Sequence, residues 1–125
     1  MEFLYLIGRI VVGAYFISHG YSHIKHKAGV MGYAIARGMN PKIASPLVLI
    51  SGVGIILAGI GLILGVLTSI ALIGMIVFLI AVSTMTHNFW KDADPTKRAQ
   101  ERLSFEGNLA LAAALLMVLG FVSSF

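Results

Sequence analysis

The sequence predicts an all-α membrane protein, a bundle of four transmembrane helices with a short interfacial helix after the first span. Of its 125 residues, 58% are hydrophobic and only 11% are charged, whereas soluble domains carry roughly 25% charged residues. Residues 43–86 include no charged side chain, and this stretch is long enough for two spans of about 20 residues each. The chain length indicates a single domain over residues 1–125.

The spans are expected at about 3–18, 44–65, 69–86 and 105–121. The first is interrupted only by Gly8, Arg9 and Gly13, and no basic residue precedes it as in a cleavable signal peptide. We therefore expect it to be retained. The second and third spans are expected to form a tight hairpin, because Gly65-Val66-Leu67-Thr68-Ser69 is the only turn that the run offers.

Two polar stretches, residues 19–43 and 87–104, connect the other spans. Residues 30–36 are moderately apolar and too short to cross a bilayer, which predicts a helix lying in the membrane interface. Asp94-Pro95 is typical of a helix start, with Asp94 as cap, and predicts a separate charged surface helix before the fourth span.

The charge distribution predicts the orientation in a cell membrane. Eight of the nine Lys and Arg residues fall in the two long connections, and the hairpin and the C-terminus have none. Basic residues favour the cytoplasmic side. We therefore expect loops 19–43 and 87–104 in the cytoplasm and both termini outside. The bilayer is the expected partner, and we expect no nucleic acid.

Arg9 is the first candidate ligand-binding residue. A charge inside a span is costly and usually has a partner in the bundle, yet no acidic residue occurs at matching depth in the other spans. One interpretation is that Arg9 reaches back to the membrane surface, towards Glu2. The other is that it binds an anion or polarises a carbonyl, such as that of a quinone.

Four histidines form the second candidate group. His19, His23 and His26 fall on one face if the first helix continues past the membrane, and His87 leaves the third span at the same surface. Neutral imidazole is a common ligand for metals and haem iron, which makes His19, His23 and His87 candidate metal ligands. Ordinary hydrogen bonds at the interface are the alternative.

Trp90 and Asn108 complete the candidate residues. Trp90 fits an interfacial aromatic belt or a ligand slot at head-group level, and Asn108 is expected to hydrogen-bond another helix. Glu106 is expected in the first turn of the last helix, where the dipole favours an acid. Small residues at Gly54, Ala58, Gly61 and Gly65 predict a close helix contact, and Gly52 and Gly59 add a second narrow face.

Taken in order, these segments resemble the DoxX family of small four-helix membrane proteins. The resemblance is carried by four pieces: Arg9-x-x-x-Gly13-x-x-Phe16-x-x-His19-Gly20, Gly38-Met39-Asn40-Pro41, Gly52 through Gly59 to Leu67-Thr68, and His87-x-Phe89-Trp90 followed by Asn108-Leu109-Ala110. Family members usually carry a glutamate three residues after the glycine matching Gly52, as a natural partner for the arginine. Here that position is Ile55.

The resemblance implies a membrane subunit of a quinone-linked redox system, because the family is similar to the membrane subunit of a thiosulfate:quinone oxidoreductase. Quinone is the expected cofactor, and haem or a metal is an alternative. The chain has no cysteine, which excludes thiol redox chemistry. A non-catalytic anchor or assembly partner, and a small transporter, remain other hypotheses. The uncompensated Arg9 and the small-residue faces predict a homo-oligomer or a larger complex.

Overall fold

The computed structural model describes residues 2–122 and confirms an all-α fold. The helices are α1 (Glu2–Lys25), α2 (Lys27–Ala36), α3 (Pro41–Leu64), α4 (Thr68–Met85) and α5 (Pro95–Val122), with a single 3-10 turn at Phe89–Lys91 between α4 and α5. Four of these helices, α1, α3, α4 and α5, lie in segments long and apolar enough to cross a bilayer. They alternate in direction. The α3–α4 turn and the start of α1 lie at one end, here called the hairpin end. Helix α2 and the 3-10 turn lie at the other, called the loop end.

Local signals set most of the helix boundaries. The Asn40 side chain accepts a hydrogen bond from the Lys42 amide at 2.9 Å and caps α3, with Pro41 in the first turn. At its other end α3 stops at Gly65, whose φ of 72° is readily adopted by glycine. The predicted hairpin is confirmed, and the short helix α2 occupies the predicted position after the first span.

The charged segment before the fourth span differs from its prediction. Asp94 does cap a helix, since its carboxylate accepts from the Lys97 amide at 3.1 Å. That helix is α5 itself, which runs unbroken to Val122, so the expected separate surface helix is wrong. After Pro95 the segment has neither Gly nor Pro until Gly107. Glu106 therefore lies beyond the first turn, and pairs with Arg102 at 2.6 Å.

Helices α1 and α3 cross in close contact through pairs of glycines. A Cβ built on Gly20 would lie 2.5 Å from the Gly52 carbonyl oxygen, and one on Gly59 would lie 2.6 Å from that of Gly13. The close contact therefore uses the narrow Gly52–Gly59 face. On the other predicted face, a Cβ at Gly54 has nothing within 4 Å, whereas one at Gly61 would lie 2.8 Å from the Val66 carbonyl oxygen of the α3–α4 turn.

The core joins all four long helices, but α1 and α5 do not pack closely along their length in the described part of the chain. Phe16 of α1 is fully buried and reaches the middle of the bundle. It packs there in one apolar cluster with residues of the other helices, which are Ile55, Leu62, Leu72, Met75, Leu79, Ala112, Leu115 and Leu119. The space between α1 and α5 remains open towards either end of the bundle, and cavities occur at both ends.

Candidate functional site

The largest of the cavities that we describe lies at the loop end between α1, α4 and α5. Its volume is about 490 Å³, within the range of small-molecule sites. We call it the histidine cavity. It is lined by Tyr15, His19, His23, Phe78, Leu79, Val82, His87, Ser104, Gly107, Asn108 and Leu111. Its polar groups come from α1, from α5 and from His87 in the segment after α4, whereas the α4 residues that line it are apolar.

A second cavity of about 300 Å³ lies on the other side of the same α4 residues. We call it the apolar cavity. It is lined by His23, Val30, Tyr33, Ala34, Met39, Leu47, Val48, Ser51, Phe78, Ala81, Val82, Met85, Thr86 and His87. His23, Phe78, Val82 and His87 line both cavities. A ligand with a polar head and an apolar body would therefore find both environments next to one another.

Tyr33, Glu101 and His87 form a hydrogen-bonded cluster beside both cavities. The Tyr33 hydroxyl donates to one carboxylate oxygen of Glu101, and His87 Nδ1 lies 2.8 Å from the other. Burial, followed by the hydrogen bond to Glu101, raises the pKa of Tyr33, so its hydroxyl keeps its proton. Because an ionised carboxylate only accepts, Nδ1 of His87 carries hydrogen, and Nε2 is the ring nitrogen left for a ligand.

A hydrogen bond to Nδ1 fixes the tautomer of His23 in the same way. Its Nδ1 lies 3.0 Å from the main-chain oxygen of His19, one turn earlier in α1. A carbonyl oxygen can only accept, so Nδ1 is the donor and Nε2 again remains for a ligand. The His23 ring packs edge-on against Phe78, with ring centroids 5.8 Å apart. Two imidazoles thus bring free Nε2 atoms to the wall that the cavities share.

A buried ion pair closes the loop end above these cavities. Arg37, at the end of α2, donates two hydrogen bonds to the Asp92 carboxylate, at 2.7 and 2.8 Å. It also donates to the main-chain oxygens of Thr86 and Asn88, while the Asn88 amide donates back to the Arg37 carbonyl. The Arg37 guanidinium holds the pKa of Asp92 below its ordinary value. The pair fixes α2 against the segment that follows α4.

The structure brings together some of the sequence-predicted site residues and separates others. His19, His87 and Asn108 line the histidine cavity, as does His23. Trp90 lies outside both loop-end cavities, packed edge-on against Phe105 with ring centroids 5.6 Å apart. Its aromatic contacts are those of a packed surface cluster. Among residues 2–122, no three His, Asp or Glu side chains form a group that could hold a metal ion.

Arg9 lies at the opposite end of the bundle. It lines a third cavity, of about 260 Å³, and its Nε and Nη2 donate to the carbonyl oxygens of Leu62 and Ile63 at 2.9 and 3.0 Å. Main-chain carbonyl oxygens therefore stand in for the acidic partner that the other spans do not offer. The last carbonyls of a helix have no partner inside it, and the C-terminal end of its dipole favours a cation.

Sequence reasoning missed Tyr33, Arg37, Asp92 and Glu101. Each lies in a polar stretch, where the residue types alone suggest solvated loop or surface helix. A signal was present, since Arg37 is the one arginine of the first long connection and three acids, Asp92, Asp94 and Glu101, lie in the second. Which acid would pair with which base depended on how α2 folds back over the bundle.

Comparison with known proteins identifies the family. The family model described as DoxX matches residues 4–88, which is more than half of the chain. The matched region covers α1 to α4 and ends directly after His87. No curated protein and no solved structure matches the chain.

Proposed function

Since the chain belongs to the DoxX family, we propose that this multi-pass membrane protein is the membrane subunit of a quinone-linked redox system. Its role there is to hold a quinone head in the histidine cavity. The observation that carries the proposal concerns His23 and His87, which line both the polar and the apolar cavity. In each ring Nδ1 is engaged in a hydrogen bond within the protein, which leaves Nε2 for a ligand. A quinone has the same combination of a polar ring and a long apolar tail.

The hydrogen-bonding pattern suits the reduced form of such a ligand. Each hydroxyl of a hydroquinone donates one hydrogen bond, and an imidazole that carries its hydrogen on Nδ1 offers Nε2 as an acceptor, at His23 as at His87. The Asn108 amide supplies both a donor and an acceptor on the facing helix. Because α1 and α5 do not pack closely and both line this cavity, we expect a lipid-soluble ligand to enter between them from the bilayer.

The cluster around Glu101 supports a role in proton transfer. When a quinone takes up two electrons it also takes up two protons and becomes the hydroquinone. The electrons would come from a partner oxidoreductase, since the chain holds no thiol. His87 contacts both the cavity and Glu101, so it is the residue placed to pass a proton between the ligand and the loop end.

The test measures the quinone bound to the protein purified in mild detergent. It is read from the absorbance spectrum of an organic extract, once for the protein as purified and once after loading with a short-chain quinone. Gly107→Leu adds a side chain to the lining of the histidine cavity at a position where a Cβ meets nothing within 4 Å. We expect bound quinone to fall about tenfold, as for loss of hydrogen bonds and burial together. Gly120→Leu is the matched control, because it lies in the same helix, has the same open space around its Cβ and does not line the cavity. Equal binding by the two variants, or no binding by the wild type, contradicts the proposal.

A second function is favoured by the first turns of α5. From Pro95 to Ser104 every residue is exposed except Glu101, and the segment carries Lys97, Arg98 and Arg102. A charged, solvated helix extension of this kind suits contact with a partner enzyme at the loop end. Under this alternative the protein anchors or assembles a partner without binding quinone. Cross-linking from Arg98→Cys to a co-purified protein, with no quinone in the extract, would favour the anchor.

A further inference from the structure

The cavity at the hairpin end, here called the Arg9 cavity, is built differently from those at the loop end. It lies between α1 and α5, about 20 Å along the bundle from His23 at 1.5 Å per residue. Apart from Arg9 and Tyr5 its lining is aliphatic or glycine, contributed by all four long helices. The lining includes Gly8, Val12, Leu115 and Val118. It therefore combines one positive charge with an otherwise apolar surface.

The hydrogen bonds of Arg9 leave its charge uncompensated. The carbonyl oxygens of Leu62 and Ile63 take two of the five guanidinium N–H groups. They are dipoles without net charge, and among residues 2–122 the ion pairs do not include Arg9. The ring of Tyr5 lies beside the guanidinium, 5.4 Å from its central carbon. The end of the guanidinium, with N–H groups on both Nη1 and Nη2, remains available as a fork.

We propose that the Arg9 cavity binds one anionic membrane lipid. The phosphate of the lipid accepts both N–H groups at the free end of the Arg9 guanidinium, in the two-pronged geometry that this group favours. One acyl chain lies along the aliphatic lining in the gap between α1 and α5. Charge compensation favours an anion, because a lone cation in an apolar site is costly. The apolar lining favours an amphiphile over a free inorganic anion.

The test is native mass spectrometry of the full chain in neutral detergent, titrated with phosphatidylglycerol or phosphatidylcholine of matched acyl chains. We expect one phosphatidylglycerol per chain, bound about tenfold more tightly than phosphatidylcholine, because the choline cation cancels the net charge that its phosphate would bring to Arg9. Arg9→Leu should abolish that preference, whereas Arg98→Leu, which removes the same charge at the loop end, should keep it. Equal binding of the two lipids by the wild type contradicts the proposal.

A second pair of variants covers the case in which Arg9→Leu fails to fold. Gly8→Leu leaves Arg9 in place and fills the cavity, since a Cβ at Gly8 meets nothing within 4 Å. Gly74→Leu is the control on α4, with the same open space and no place in the cavity lining. We expect Gly8→Leu to lose phosphatidylglycerol and Gly74→Leu to keep it. Unchanged binding in Gly8→Leu overturns the site.

Oleate and methyl oleate identify the source of the anion. Both carry the same acyl chain, and only oleate is charged. If oleate competes with phosphatidylglycerol and methyl oleate does not, the site recognises an anionic head on an acyl chain. Inorganic phosphate at the same concentration should not compete, because it lacks the chain. Competition by phosphate alone would show an ion site and contradict the lipid proposal.

Discussion

Gly13 of α1 and Gly59 of α3 face one another with their main chains in near contact. A Cβ added to Gly13 would lie 2.7 Å from the Gly59 carbonyl oxygen, and one added to Gly59 would lie 2.6 Å from that of Gly13. Because the obstacle on each side is main chain, neither helix can yield by rotating a side chain. This contact brings the end of α3 next to α1, where Arg9 reaches the Leu62 carbonyl.

Gly59→Ala should therefore destabilise the protein. Overpacking costs about 1–3 kcal/mol, which outweighs the roughly 0.5–1 kcal/mol that alanine gains over glycine within a helix. Gly54→Ala, in the same helix and with open space around its Cβ, should be neutral or stabilising. Thermal unfolding in detergent measures both. Equal midpoints would mean that the α1–α3 contact is looser than described.

The Arg37–Asp92 pair predicts a loss of stability in acid. The pKa of Asp92 is lower in the folded protein than its ordinary value of 3.8, mainly because Arg37 donates hydrogen bonds to the ionised carboxylate. The stabilisation is thus fully present above pH 3.8 and is lost as the pH falls through the folded pKa. Thermal midpoints measured from pH 6 down to pH 3 should fall at the acid end.

In Asp92→Asn the midpoint should be lower at pH 6, and this part of the acid-dependent fall should be absent. An unchanged acid slope in that variant would exclude Asp92 as its source.

His87→Asn separates ligand binding from structure. The asparagine amide takes the place of Nδ1–H and keeps a donor towards Glu101, while the Nε2 atom is removed. We expect the thermal midpoint to stay close to that of the wild type, and the affinity for a short-chain hydroquinone to fall about tenfold. Equilibrium binding followed by quinone absorbance measures this. A large fall in the midpoint with unchanged affinity would give His87 a structural role alone.

The orientation in the membrane is tested with introduced cysteines, since the chain has none of its own. Thr68→Cys at the hairpin end should react with an impermeant maleimide added to intact cells. Ala99→Cys, exposed on the loop-end part of α5, should react only after the cells are lysed. The opposite pattern would place the loop end outside and would reverse the predicted topology.

Much of the architecture followed from the sequence because its causes are local or compositional. The uncharged run 43–86 is too long for one helix, and Gly65 supplies the backbone conformation that ends α3. Asp94 accepts a main-chain hydrogen bond three residues ahead, so that helix start was predicted, whereas the Asn40 cap of α3 was found only in the structure. The four long helices, the hairpin and α2 were therefore predicted from the order of residues alone.

Tertiary structure alone decided which side chains meet. His19 lies on α1, His87 in the segment after α4 and Asn108 on α5, and their common cavity depends on how far α1 stands from α5. The carbonyl partners of Arg9 could not be predicted from residue types. Every residue carries a main-chain carbonyl, and only the carbonyls at the end of a helix lack a partner inside the helix. The partner of Arg37 was decided by how α2 lies against the segment after α4, and that of His87 by how the first turns of α5 pass the same segment. Several acids in the polar stretches offered similar charge, and only distance selected Asp92 and Glu101.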